Sequence, residues 1–315
     1  MKAKIQPRIS LDNRTKLETV IPLSTPYLLF IDPSDVCNRR CEFCPTGNYH
    51  LVRKFRQPQI MSWDLFKGLV EDLQEFPEKI KTVRLYKDGE PLLNPAIDLM
   101  VALLKRKNVA ERVDLTTNGM LLVPSFIENL VKAGLDAIFI SVPQNYTDEY
   151  LDMIKYFYNH KEQCEMRVKI VGDGLSDEDK QIFMDDFGDH CDYIFIENLA
   201  PCWPNFEVKI SGKGIYDNPV SDVDVCPYIF YSMSVNSDGT VSACFLDWSR
   251  TLIIGDANNE SLVNIWNGEN MKALRTFMLH GIRREMPFCR NCGQLKYGAP
   301  DNIDPYKDKL LKRIG

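Results

Sequence analysis

The sequence predicts an α/β fold: a mostly parallel sheet arranged as a partial barrel, followed by a small C-terminal α+β domain. Three observations predict it. Short apolar runs alternate with helical stripes to give six strands and five helices between residues 27 and 196. After the first long gap, successive strands begin about 25–30 residues apart, the length of a βα unit, and parallel neighbours need crossovers of that kind. From about residue 206 the rhythm changes to a hairpin, a helix and closely spaced cysteines.

Residues 1–25 are polar without a clear period and read as an N-terminal arm or lead-in strand. Tyr27-Leu28-Leu29-Phe30-Ile31 is a short apolar run, the mark of a buried strand. A polar loop over 46–60 carries Arg53, Lys54 and Arg56. Ser62 is a good N-cap for a helix whose stripe of Phe66, Leu69, Val70 and Leu73 runs to about Phe76. The strand Lys81–Tyr86 leads into Lys87-Asp88-Gly89-Glu90-Pro91. Then come a helix near 95–107, a strand at Arg112–Thr116, the turn Thr117-Asn118-Gly119, a helix near 124–133 and a strand at Ala137–Ser141. The series closes with a helix near 147–159, a strand at Met166–Val171, a helix near 177–187 opened by Ser176, and a strand at Tyr193–Ile196, with a sixth crossover left open after it. Six such units make a partial (β/α)6, TIM-like barrel over 26–205, with the arm at 1–25 and the second domain at 206–315. Ligands of such sheets sit at the C-terminal ends of the strands, so the loops that follow strands are where function resides.

A chain of 315 residues buries a full core, and its 44% apolar and 26% charged residues are ordinary for a soluble protein. The net charge of −6 argues against nucleic acid as the main partner. No run approaches the roughly 18 apolar residues of a membrane span, and no signal-peptide core follows Met1–Arg8. These features predict a cytoplasmic protein without a membrane partner. Ten cysteines there do not read as a disulfide framework, because the cytosol keeps thiols reduced. Seven fall into two groups with ligand-like spacing, and Cys164, Cys191 and Cys202 stand alone. That division points to metal chemistry.

The first group, Cys37, Cys41 and Cys44, has C-x3-C-x2-C spacing just after the first strand. Thiolates are the usual ligands of iron–sulfur clusters, and three of them leave one iron of a four-iron cubane open to a small molecule. A zinc site or structural thiols are the other readings, although zinc wants four closed ligands and no fourth follows at a suitable spacing. In the second group Cys226 precedes Pro227, Cys244 leaves a hairpin marked by Asp238-Gly239, and Cys289 and Cys292 form a C-x2-C. A helical stripe over 261–278 bridges the hairpin to Cys289. Four thiolates from three segments close one metal site completely, be it zinc or a cluster. Between the groups, Gly89 allows close backbone approach and Glu90 can accept from an ammonium group, though an ordinary turn reads the same way. Asn118-Gly119 is likewise a turn signal, and Ser141 a strand end.

At these residues the chain resembles the radical S-adenosylmethionine (SAM) superfamily, whose signature is this C-x3-C-x2-C with an aromatic residue such as Phe43 before the third cysteine. The resemblance implies a (β/α)6 three-quarter barrel and a [4Fe–4S] cluster on Cys37, Cys41 and Cys44. It also implies that SAM chelates the open iron and is cleaved to methionine and a 5′-deoxyadenosyl radical, which takes a hydrogen atom from the substrate. Asp88-Gly89-Glu90-Pro91 is similar to the family's Gly-Gly-Glu-Pro motif, which binds the methionine amino group, with Asp88 replacing the first glycine. Asn118 matches the family's Thr-Asn-Gly turn, Ser141 the place of a ribose contact, and Val168–Gly172 the segment beside the adenine. The C-terminal region resembles the single-cluster "twitch" form of the SPASM domain. That implies a second [4Fe–4S] auxiliary cluster on Cys226, Cys244, Cys289 and Cys292.

A cluster with four protein thiolates passes electrons and does not chelate substrate. A rearrangement returns its electron, whereas oxidation of an alcohol carbon leaves a radical that must lose one more. The layout is similar to that of the superfamily's aminocyclitol dehydrogenases. The expectation is therefore a radical SAM oxidoreductase acting on a sugar, nucleotide sugar or aminocyclitol, served by an electron donor such as flavodoxin or ferredoxin. The alternatives are a maturase of a ribosomally made peptide, an epimerase with Cys202 as hydrogen donor, or a non-catalytic electron-transfer or sensing module. The short start of the chain leaves little room for a leader-peptide domain, which counts against the maturase. Glu197, in the segment facing the barrel mouth, and Asp247, beside Trp248, are the candidate bases. Arg84 and Lys87 suit a phosphate-bearing substrate or are surface charge.

Overall fold

Alternation along the strands sets the sheet, and hydroxyl caps open three of the five barrel helices. The computed structural model describes residues 1–9, 14–208, 212–298 and 301–314. The N-terminal arm contributes β1 (Lys4–Ile5), and the six barrel strands are β2 (Leu28–Ile31), β3 (Ile80–Leu85), β4 (Ala110–Thr117), β5 (Ala137–Ser141), β6 (Glu165–Val171) and β7 (Tyr193–Glu197). Between them lie α1 (Trp63–Leu73), α2 (Ile97–Lys107), α3 (Pro124–Lys132), α4 (Asp148–His160) and α5 (Asp177–Phe187). Ser62 accepts from the Leu65 N–H at 3.2 Å and Thr147 from that of Tyr150 at 3.3 Å, while Ser176 and Asp179 complete a capping box. Each such cap contributes about 1 kcal/mol.

Val83, Leu85, Val113, Leu115, Ile138, Ile140, Val168 and Ile170 are buried in the apolar core beneath the helices. Their alternates, Arg84, Asp114, Phe139, Arg167, Lys169 and Phe195, line the barrel interior. The period of two thus sorts each strand into an apolar outer face and a polar inner one.

The sheet does not end with the barrel. Ten strands run in the order β1-β7-β6-β5-β4-β3-β2-β8-β9-β10 among the described residues, with β8 (Ser232–Val235), β9 (Thr240–Ser242) and β10 (Ile253–Asp256) supplied by the C-terminal region. β8 lies parallel to β2, Leu28 opposite Ser232, and β8, β9 and β10 are antiparallel to one another in turn. Gly239 closes the hairpin at φ +91°, a conformation that favours glycine. At the far edge β1 pairs parallel with β7, as a lead-in strand does.

Three readings of the chain are revised. The stripe at 261–278 is two helices, α6 (Leu262–Asn267) and α7 (Glu269–Leu279), because Gly268 between them is extended. The loop 46–60 contains a one-turn helix, Tyr49–Val52, and buries Arg56. After β7 the described residues hold only a 3₁₀ turn, Tyr228–Phe230, before β8, so no sixth crossover helix follows there. No helix among the described residues is long and apolar enough to cross a membrane.

Candidate functional site: two cysteine groups at the barrel mouth

The loop that leaves β2 is shaped by backbone contacts before any thiol is considered. Glu90 N–H donates to the Val36 carbonyl at 2.9 Å, and Asn118 Nδ2 donates to Asn38 Oδ1 at 2.7 Å. A Cβ on Gly89 would strike the carbonyls of Ser34 and Val36, and one on Gly47 the backbone of Cys41, so only glycine permits this closeness. Cys37, Cys41 and Cys44 are half-buried on that loop, and Phe43 is exposed. Burial pushes the thiol of Cys37 up to about 11 and that of Cys44 to about 12, with Cys41 adding to the rise of both. Ionising them together therefore calls for a cation between them, which iron supplies.

The Asp-Gly-Glu turn after β3 is a brace for this loop. Glu90 is buried and accepts from Thr117 Oγ1 at 2.6 Å, Asn118 N at 2.8 Å and Leu92 N at 3.0 Å. Three donors already occupy the carboxylate expected to meet the methionine amino group, so Glu90 fixes the relative positions of two turns. The side-chain carbonyl of Asn118 accepts from Met120 N at 3.0 Å. Ser141 lies half-buried at the C-terminal end of β5, on the same side of the sheet.

Asp88 stands in a buried ion network that joins the two cysteine regions. Its Oδ2 pairs with Lys87 at 2.7 Å, Arg250 at 3.0 Å and Arg56 at 3.2 Å, while Asp35 pairs with Arg56 and Arg250, each at 3.1 Å. Lys87 also donates to the Asp247 carbonyl at 3.0 Å, and Arg56 to the Trp248 carbonyl. Burial alone would raise Asp88, but Arg56, Lys87 and Arg250 outweigh it and hold the carboxyl at about 2. Lys87 and Arg84, which surface charge would also have explained, are both interior: Lys87 is buried, and Arg84 pairs with the buried Asp114.

Asp32 is the exception in this network. It is fully buried, its Oδ1 has no partner, and burial together with Asp88 and Asp35 raises its pKa to about 7. Because the folded value lies above the ordinary carboxylate value of about 3.9, the folded state holds a proton that the unfolded chain has released, and stability falls as pH rises from about 4 to about 7. Asp32→Asn is expected to flatten that slope and to exceed the native protein at pH 8 by up to roughly 3 kcal/mol. Denaturant midpoints at pH 5 and pH 8 check this, and parallel pH profiles for the two proteins would contradict it.

The second thiol group forms around the hairpin end. Cys244 and Cys289 are buried, and Cys226 and Cys292 half-buried. Burial raises all four, Cys226 to about 12, and the thiolates of Cys226 and Cys292 further raise Cys244 and Cys289. Arg283 braces the region, donating to the carbonyls of Cys289 at 2.8 Å, Asp224 at 2.8 Å and Val223 at 3.2 Å. Among the described residues no three ligand side chains close around a single ion. Within each group the thiols nonetheless lie in mutual electrostatic reach. Phe245, next to Cys244, stacks at 4.8 Å on Phe30 of β2, inside the barrel. The second group therefore adjoins the barrel interior.

The candidate bases separate clearly. Asp247 is fully buried and accepts from Thr251 N at 2.9 Å, Thr251 Oγ1 at 3.1 Å, Leu252 N at 2.8 Å and Ser242 Oγ at 3.0 Å. With both oxygens committed to the turn after Cys244, it is a structural acid and not an open base. Glu197, at the C-terminal end of β7, is buried and paired with Lys169 of β6 in the barrel lining. Cys202 is buried between the two regions: its carbonyl is 4.0 Å from Cys292 Sγ, and burial, Cys292 and Glu197 in that order raise its pKa. The sequence reading missed Asp35 and Arg250, and it missed Arg8 and Tyr86, which touch across the barrel interior. Only the types of these residues were visible in the sequence, and neither a charge nor a ring by itself signals burial.

Comparison with known proteins agrees with this geometry. The family model of the Radical SAM superfamily matches residues 31–166, and that of the SPASM iron–sulfur cluster-binding domain matches 226–293. The S-adenosyl-L-methionine-dependent 2-deoxy-scyllo-inosamine dehydrogenase of Niallia circulans is 21% identical over 88% of this chain and 96% of its own. The crystal structure of BtrN in complex with AdoMet and 2-DOIA superposes with a TM-score of 0.59 at 20% identity, covering 88% of this chain and 97% of that one. That of Streptococcus suis SuiB bound to precursor peptide SuiA gives 0.63 at 16% identity, covering 94% and 78%. With both family models on the two thiol groups and a parallel partial barrel between them, the chain belongs to the radical SAM superfamily, with a C-terminal SPASM domain, and its cofactors are two [4Fe–4S] clusters and SAM.

Proposed function

We propose that the chain is a dehydrogenase-like radical SAM oxidoreductase acting at a C–H bond of a small, carbohydrate-like molecule. The observation that carries this reading is the stack of Phe245 on Phe30, which sets the closed thiol group against the chamber where a substrate would lie. When bound, SAM and the first cluster supply the 5′-deoxyadenosyl radical, and the second cluster supplies a one-electron sink. Cys37, Cys41 and Cys44 would hold the first cluster, and Cys226, Cys244, Cys289 and Cys292 the second. Gly89, Asn118 and Ser141 would shape the SAM cradle, and Glu90 would hold its two turns together.

Oxidising an alcohol carbon to a ketone removes a hydrogen atom, a proton and one electron. Glu197 would take the proton: it lines the chamber, paired with Lys169. The aminocyclitol named for the Niallia circulans relative supports a carbohydrate-like substrate. A cytoplasmic flavodoxin- or ferredoxin-like protein would supply the reducing electron.

The test is anaerobic reconstitution, iron counting, and incubation with SAM, reductant and pooled nucleotide sugars and aminocyclitols. The expected result is about eight irons and a product two mass units lighter. In Cys244→Ala, about four irons remain, 5′-deoxyadenosine still forms, and the oxidised product falls to background. Undiminished oxidised product in that variant would reject the electron sink. Substrate-dependent 5′-deoxyadenosine only with peptides would favour the maturase.

A further inference from the structure

Within the barrel interior almost every cation has a carboxylate. Arg84 faces Asp114, Lys169 pairs with Glu197, and Arg112 and Arg167 share Glu165. Arg8 has none among the described residues. It reaches the interior from the arm whose β1 closes the barrel edge on β7, and its guanidinium carbon lies 4.5 Å from both the Tyr86 and the Phe139 ring centroids. Cation–π contact on two faces holds the fork in place without neutralising it. Two guanidinium nitrogens here are buried without a hydrogen-bond partner, Nε of Arg8 and Nε of Arg84. The latter stands 3.5 Å from Asp114, beyond good hydrogen-bond geometry. Both side chains also donate to the same Tyr86 hydroxyl. Arg8 lines a cavity of the barrel with Arg167, Lys169 and Glu197, and buried guanidinium donors such as its Nε and the nearby Nε of Arg84 are costly unless something accepts from them.

We propose that the barrel chamber takes a substrate bearing an oxyanion, a phosphoryl or carboxylate group, and that Arg8 of the N-terminal arm receives it, with Arg84 beside it. This rests on the chamber being the substrate site, as proposed above. It deepens that reading by separating this chain's substrate from a neutral or amino-bearing cyclitol. Arginine suits the task because its fork matches two oxygens of such a group at once.

The experiment is anaerobic calorimetric titration of the reconstituted full chain in the presence of SAM. The probes are myo-inositol, its 1-phosphate, an amino-inositol, and glucose paired with glucuronate. The expected result is tighter binding of the phosphate or the carboxylate than of its neutral parent, with the two pairs showing which oxyanion is preferred. Arg8→Gln should cut that preference roughly ten- to a hundredfold, the worth of one charge-assisted hydrogen bond, and leave the neutral sugars unchanged. Iron content shows whether the variant folds; if it does not, Arg8→Lys keeps the charge without the fork and should show an intermediate loss. Neutral or amino probes binding as tightly as anionic ones, no binding of any anionic probe, or a folded Arg8 variant with native preference would each overturn the proposal. Anion binding without an oxidised product would keep Arg8's role and reject the dehydrogenase. Oxidation of neutral probes without anion preference would do the reverse.

Discussion

Cys41→Ala abolishes cleavage of SAM, leaving a folded protein with about half its iron. The folding half of that expectation comes from how little the loop relies on its thiols. Val36 is held by Glu90, Asn38 by Asn118, and the Cys41 backbone by its close fit against Gly47. The activity half comes from coordination: two thiolates and an open edge do not retain a cubane. Anaerobic iron counting and 5′-deoxyadenosine detection after adding reductant check both halves. About four irons with no 5′-deoxyadenosine is the expected pair of results. Substantial SAM cleavage in the variant would remove Cys41 from the ligand set, and loss of all iron would show that the loop needs its cluster to fold.

Removing Arg250 should be the most destabilising single change outside the apolar core. Its guanidinium bridges Asp35 and Asp88 from 160 or more residues away in sequence, and it also donates to Asn236. Arg250→Met leaves two buried carboxylates short of a cation, and breaking a buried pair from one side costs about 3–5 kcal/mol. Asp88→Asn in the same chain removes one orphaned charge and should restore part of the loss, since residues in one network are not additive. Denaturant midpoints of the single and double variants measure this. Equal losses in Arg250→Met and the double variant would mean that Arg250 acts through packing and not through its charge.

The barrel was legible in the sequence because its signals are local. Apolar alternation within each strand and a Ser or Thr before three of the helices placed the strands within about two residues of their observed ends. The cysteines were legible because their spacing is itself the chemistry. What stayed hidden is whatever depends on distant partners. Asp238-Gly239 announces a hairpin, yet nothing near it says that β8 lies against β2. Arg56 sits in a loop that reads as solvated, and only Asp35, Asp88 and the Trp248 carbonyl reveal it as interior. Arg8 belongs to a polar arm without period, and its aromatic partners come from β5 and the end of β3. Gly268 was visible in the sequence, but the apolar stripe continues across it and hides the break.

The position of β2 has a consequence for the order of synthesis. This strand delivers the first cysteine loop, and it is hydrogen-bonded on one side by β3 and on the other by β8, whose residues begin at 232. While the nascent chain still lacks those residues, Leu28-Leu29-Phe30-Ile31 is a bare, apolar sheet edge, the kind that recruits other chains. The C-terminal region thus protects the maturing barrel as well as contributing thiols. A shortened chain that ends before β8 would keep all three cysteines of the first group and lose the strand that shields them from aggregation.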